Sequence, residues 1–221
     1  MSQIWHVSTN LPAQAAVIRI DDVHVDTEQT AFQRLSECAA SYQKRYAGRT
    51  IGEVEGVQAA RQLFHAIGVD PTKRRPSSEA LLQRALKGKE LHSVNSLVDV
   101  GNWCSLDFLL PIGIYDAEKI QGNVTIRTGT PADEYPALNN RTISLHNRYV
   151  LADENGAFGS PMTDSQRTAV DLNTHAAALV LYAPEDYDPD KLKEQAELFA
   201  QRVLDLCGGS LVSLEILVVV T

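Results

Sequence analysis

Asn95 to Asp116 reads NSLVDVGNWCSLDFLLPIGIYD, and the fold turns on how this stretch is divided. Its first part, Val94 to Leu109, predicts a helix carrying polar residues on an otherwise apolar surface. Asn95, Asp99, Asn102 and Ser105 recur at spacings of four, three and three, which sets them along one stripe. Asn and Asp are mediocre helix formers because their side chains compete for backbone groups. Such a stripe therefore needs partners, either within the fold or in a ligand. From Pro111 the pattern changes to that of strands.

Working back from this junction, KRRPSSEALLQRALKG predicts a helix with Pro76 at its first position, an apolar face of Leu81, Leu82, Ala85 and Leu86, and Gly88 as its stop. Before it, two helices are expected, and in the second Val54, Val57, Ala60, Phe64 and Ile67 recur on one face ended by Gly68. Alternation over Ala15 to Ile20 predicts a strand.

Working forward, Asn123 to Arg127 and Leu145 to Leu151 alternate as strands, with Asn155-Gly156 as a tight hairpin turn whose central positions both favour positive φ. Ala177 to Tyr182 reads as a buried strand. Asp188-Pro189 caps a helix with Leu192, Ala196, Phe199, Val203 and Leu206 on one face, Gly208-Gly209 ends it, and Leu211 to Val220 closes as a strand. The expected fold is mixed α/β (α+β), one unit over 1–221, with a central, mostly antiparallel or mixed sheet flanked by helices.

Composition narrows the function. The 221 residues are 44% hydrophobic with 13 Gly and 9 Pro, which excludes disordered and collagen-like chains. Cys38, Cys104 and Cys207 are odd in number and follow no C-x-x-C pattern, so a disulfide framework is not expected and a reducing, cytoplasmic setting is. No signal peptide is read in the opening residues. Ile216 to Val220 is about a quarter of the roughly 20 residues a membrane helix needs, so no membrane partner is expected. Net charge is −8, but Lys73 to Lys89 holds Lys73, Arg74, Arg75, Arg84, Lys87 and Lys89 against Glu79 alone. This window suits one docked polyanion, or equally a solvated helix face.

The sequence contains no P-loop, no dinucleotide fingerprint, no H-E-x-x-H or Cys/His cluster and no serine elbow. No metal or cofactor is expected. The six histidines are scattered and read as structural or surface residues. A second polar stretch, DENGAFGSPMTDSQRTAVDLNTH from Asp153 to His175, lies between two strands. It is either turn and capping chemistry or a binding loop.

These stretches resemble the editing, tRNA-binding domain of the bacterial phenylalanyl-tRNA synthetase beta subunit, and still more its freestanding relatives. The resemblance rests on Val98-Asp99, Asn102, Pro111-Ile112-Gly113-Ile114-Tyr115-Asp116, the Gly122 to Arg127 strand and Glu134. RRPSSEALL and Asp164-Ser165-x-Arg167-Thr168 resemble the freestanding members in particular; altogether about residues 72 to 183 are covered.

The resemblance implies hydrolysis of the ester joining a wrong amino acid to the end of a tRNA, by a positioned water and without metal. The partner is then the aminoacylated acceptor end of tRNA, its phosphates met by Lys73, Arg74, Arg75, Arg84, Lys87 and Lys89. Asn102 matches the family's pocket asparagine and, with Asn173, is the candidate catalytic pair; Gly101, Gly113, Ser165 and Thr174 are candidate substrate-binding residues. Gly101 replaces a threonine and Gly113 a histidine, and Asn173 stands where a glutamate reads the tyrosine hydroxyl. Tyrosine attached to phenylalanine tRNA is accordingly not the preferred substrate. Asp99 and Asp116 are expected to be structural carboxylates. The altered positions leave a non-catalytic tRNA- or amino-acid-binding module as the alternative, with a hydrolase of free esters or amides behind it.

Overall fold

The structure, a computed structural model, describes residues 4–8, 11–138 and 140–218. It begins with strands β1 (Trp5–Val7) and β2 (Ala13–Asp21), followed by helices α1 (Thr30–Arg45), α2 (Val57–Ala66), α3 (Ser77–Leu86) and α4 (Ser96–Phe108). Then come β3 (Ile112–Asp116), β4 (Val124–Thr128), the short β5 (Glu134–Pro136) and β6 (Thr142–Ser144), β7 (Tyr149–Asp153), β8 (Gly156–Gly159) and β9 (Ala176–Pro184). Helix α5 (Pro189–Cys207) and strand β10 (Ser210–Leu217) complete the fold.

The central sheet has the order β10-β2-β9-β3 and is antiparallel throughout. Every residue of β9 is buried because both faces of this sheet are covered. Ala177, Leu179, Leu181 and Ala183 pack with Leu97, Val100 and Cys104 of α4 and Phe199 and Val203 of α5. The alternate residues Ala178, Val180 and Tyr182 meet Leu63 and Phe64 of α2 and a second sheet. That sheet, β1-β4-β7-β8, is mixed, since β1 pairs with β4 in parallel. The expected α/β architecture is thus present. The second sheet is an addition that strand patterns alone did not separate from the first.

Several boundaries follow local chemistry. The Asn95 carboxamide accepts from Val98 N–H at 2.9 Å and starts α4. Asp188, with Pro189 in the first turn, starts α5, and Gly208 at φ +66° ends it. Pro76 sits at the N-cap of α3, one residue outside the expected position.

Two expectations are corrected. Leu145 to Arg148 is a turn, not strand, closed by Arg148 N–H on Leu145 O at 2.8 Å with Asn147 at φ +55°. The hairpin turns on Glu154-Asn155, and only Gly156 takes a positive φ (+100°). The Asp153 carboxylate accepts from Asn155 N–H at 2.9 Å and shifts the turn by one residue. Strand β10 ends at Leu217, and Val219 and Val220 lie outside the described residues.

Candidate functional site

Strand β3 pairs on one side only, with β9, and the second polar stretch runs along its other edge. Asp116 N–H donates to Thr168 O at 2.9 Å, and Thr174 Oγ1–H donates to the Asp116 carboxylate at 2.9 Å. Lys119 Nζ bridges onward, 3.0 Å from Asp116 and 3.1 Å from Asp171. Arg167 grips Asp153 through two parallel bonds of 2.9 Å, which holds this loop to the β7–β8 hairpin. The two stretches singled out in the sequence therefore meet at the β3 edge.

Three members of the α4 stripe are engaged by the fold. Asn95 is a cap, and Ser105 donates to Leu110 O at 2.8 Å. Asp99 is buried and accepts from Ser93 Oγ–H and from Val94 N–H. Burial pushes its pKa up, against those two bonds. Asp99 and Asp116 are structural carboxylates, as their positions led us to expect. Asn102 differs: it is half-buried, and its carboxamide makes no hydrogen bond among the described residues.

The two glycines of interest face opposite sides of β3. Gly101 is buried, and a Cβ there would collide with Ile114, so its absence lets α4 approach the strand. Gly113 points to the other face, where the Tyr115 ring occupies the room a side chain would need; Gly159 flanks the same ring. The Tyr115 hydroxyl donates to Asp164 at 2.6 Å and lies 2.9 Å from the Tyr182 hydroxyl. Burial pushes the Asp164 carboxyl up to about 7, although bonds from Tyr115 O–H and Ile114 N–H oppose the shift. Tyr135 O–H donates to Thr163 O at 2.6 Å beside them. Tyr115 and Asp164 both fall in the motifs quoted above, yet the sequence gives neither a role. Nothing in a pattern of separations pairs residues 49 positions apart.

Ser165 and Thr174 are buried; Ser165 Oγ lies 3.2 Å from Thr168 Oγ1, and Thr174 holds Asp116. Asn173 is exposed in a turn, its N–H donating to Asp171 at 2.7 Å, and among the described residues no hydrogen bond joins it to Asn102. Hollows of about 540 and 960 Å³ lie elsewhere, between α1, α4 and α5 and between β1 and β10, and neither is lined by Asn102 or Asn173.

All six bases of the Lys73 to Lys89 window are exposed, three before α3 and three at and beyond its end. Arg75 shares the buried Glu79 carboxylate with Arg61, which binds it at 2.7 and 2.9 Å. Arg84 donates to Glu90 O. The Arg74 guanidinium lies 3.9 Å from Met162 Sδ, so the basic turn abuts the second polar stretch.

A polar strand edge bordered by a basic turn is the arrangement, and comparison with known proteins gives it a class. Residues 59–208 match the B3/4 domain, and the chain belongs to that family. Its curated relatives include the phenylalanine–tRNA ligase beta subunit of Brucella abortus (strain 2308), 31% identical over 166 residues, which are 64% of this chain and 20% of that protein. The Bartonella henselae beta subunit is 29% identical over 158 residues, 60% of this chain and 20% of the relative. This chain thus spans about a fifth of the length of those relatives. Among solved structures, an N-terminal fragment of the Pyrococcus horikoshii phenylalanyl-tRNA synthetase beta subunit aligns with a TM-score of 0.49 and 10% identity, over 95% of this chain and 50% of the other. Among the described residues no helix is long and apolar enough to cross a membrane.

Proposed function

We propose that this chain is a freestanding, cytoplasmic aminoacyl-tRNA deacylase that hydrolyses the ester of mischarged tRNA. The observation that carries the reading is Asn102: alone in its stripe, it keeps a carboxamide unengaged among the described residues, on the helix whose Gly101 packs against Ile114 of the strand that holds the family motif. A neutral amide both donates and accepts, so it can orient a water and stabilise charge developing on the ester oxygen. Positioning of this kind lowers a barrier by several kcal/mol without a covalent nucleophile. Exposed Lys73, Arg74 and Arg75, beside the Met162 loop, offer charge to the phosphates of an acceptor stem. Tyrosine on phenylalanine tRNA is not the preferred substrate.

The test is a deacylation screen over many mischarged tRNAs, with Asn102→Ala as the control. Removing one such donor is expected to slow hydrolysis about a hundredfold. Unchanged rates in the variant would overturn the assignment. A second reading, a module that binds without hydrolysing, is favoured by the Tyr115 ring, which fills the volume next to Gly113. It is the outcome if tRNA binds and no mischarged species is cleared.

A further inference from the structure

The larger hollow, about 960 Å³, opens where the two sheets end side by side, β1 at the edge of one and β10 at the edge of the other. The register of the central sheet builds its floor: Ser213 lies opposite Arg19, Arg19 lies opposite Ala178, and Val17 follows on the same face. Ile4 and Trp5 of β1 form the facing wall. Val212, left out of the ladder by the bulge between Leu211 and Ser213, stands 56% exposed at the rim.

The charge around this hollow is one-sided. Among the described residues Arg19 is the one cation that lines it, and Arg19 is already paired with Asp21. Glu118, Glu154 and Glu215 line it as well, and none of them forms an ion pair among the described residues. They come from the β3–β4 connection, the β7–β8 turn and β10, so the negative charge is spread around the walls and not focused on one point. Glu154 is held there: its N–H donates to Gln121 O at 3.1 Å, and its carboxylate covers Gly122 where a Cβ would otherwise stand.

The hollow also contains a donor without an acceptor. Trp5 is only 7% exposed and meets Phe158 edge to face, yet its indole N–H makes no hydrogen bond among the described residues. A buried indole N–H ordinarily finds a partner. Beside it, β10 pairs with β2 alone and turns its other row of backbone groups outward.

We propose that this hollow docks an extended, basic peptide segment of a partner protein. Its lysine or arginine side chains reach Glu118, Glu154 and Glu215, and their flexible stems remove the need for a fixed spacing between the carboxylates. Its apolar side chains lie against Val17, Ala178 and Val212, and its backbone supplies acceptors to the Trp5 indole and the open β10 edge. A linear polyamine matches the charge but, fully protonated, carries no acceptor for the indole, so it is the weaker ligand. The site is separate from Asn102 and does not rest on ester hydrolysis.

Calorimetric titration of the full chain at physiological salt, with acetyl-Lys-Val-Lys-Val-Lys-amide, its counterpart with glutamate in place of lysine, and spermine, tests this directly. The basic peptide should bind at least about tenfold more tightly than the acidic one. Glu118→Gln combined with Glu215→Gln should weaken it about tenfold, and both residues are exposed, so the fold is kept. Trp5→Phe keeps a ring in place and should weaken the peptide about threefold to tenfold while leaving spermine unchanged; should that variant fail to fold, the glutamate pair decides. No saturable binding of the basic peptide, equal binding of the acidic one, spermine bound as tightly as the peptide, or variants that bind as the parent does would each overturn the proposal.

Discussion

The Tyr115 hydroxyl and the Asp164 carboxylate are joined by a 2.6 Å hydrogen bond across 49 positions of chain, and this bond ties the second polar stretch to the strand it borders. Tyr115 is fully buried, with Tyr182 at 2.9 Å on its other side.

Stability should fall as pH rises across the range where Asp164 titrates. Its carboxyl is pushed up to about 7 in the fold, from 3.8 as the ordinary value. A folded pKa above the unfolded one means the native state holds the proton longer. The contribution is complete below 3.8 and is gone once pH passes about 7. Melting temperatures recorded from about pH 4.5 to 8 should decline by more in the parent than in Asp164→Asn. Parallel curves would show that Asp164 does not titrate in this window.

Gly113→Ala should destabilise by about 1–3 kcal/mol, since the new methyl meets a buried ring that has nowhere to move. The cost should shrink when Tyr115 is cut back to leucine in the same chain. A double-mutant cycle by chemical denaturation reads that coupling, and additive effects would place the clash elsewhere.

Asn102→Ala should leave stability within about 0.5 kcal/mol, because its carboxamide is not bonded among the described residues. Asp99→Ala, on the same stripe but buried, should cost about 1–3 kcal/mol by removing the buried acceptor shared by Val94 N–H and the Ser93 hydroxyl. Denaturation midpoints of the two variants check the contrast.

Changing Lys73, Arg74 and Arg75 together to alanine should lower the salt slope of tRNA binding by about 1 for each phosphate that is no longer neutralised. The fold should tolerate it, since Arg61 keeps both of its bonds to the buried Glu79. Filter binding over a salt series measures the slope, and an unchanged slope would remove these bases from the interface.

Much of the site's surroundings was legible in the residues. Asp188-Pro189 as a helix start and the carboxylate role of Asp99 follow from short-range chemistry, whereas the spacing places Asn95 in the helical stripe and the structure makes it the cap. The role of Gly101 was not legible. Its position in the motif points to the substrate, whereas the structure places it beneath Ile114, because helix spacing reports which residues share a face and not what that face meets. The hairpin at Asn155-Gly156 is displaced by one residue for a similar reason: Asp153, anchored by Arg167, supplies the turn bond.

By itself, the chain order of amino acids determined the helices, most strands, their stops at glycines and the basic window, because those depend on neighbours within about one or two turns. Only the tertiary structure decided that β9 is covered on both faces, that Gly101 and Gly113 look away from each other, and that Asn102 stays unengaged among the described residues while Tyr115 is locked to Asp164. Those outcomes depend on contacts such as Thr174 with Asp116, 58 positions apart, which form when sheets and helices pack and leave no periodic trace in either partner.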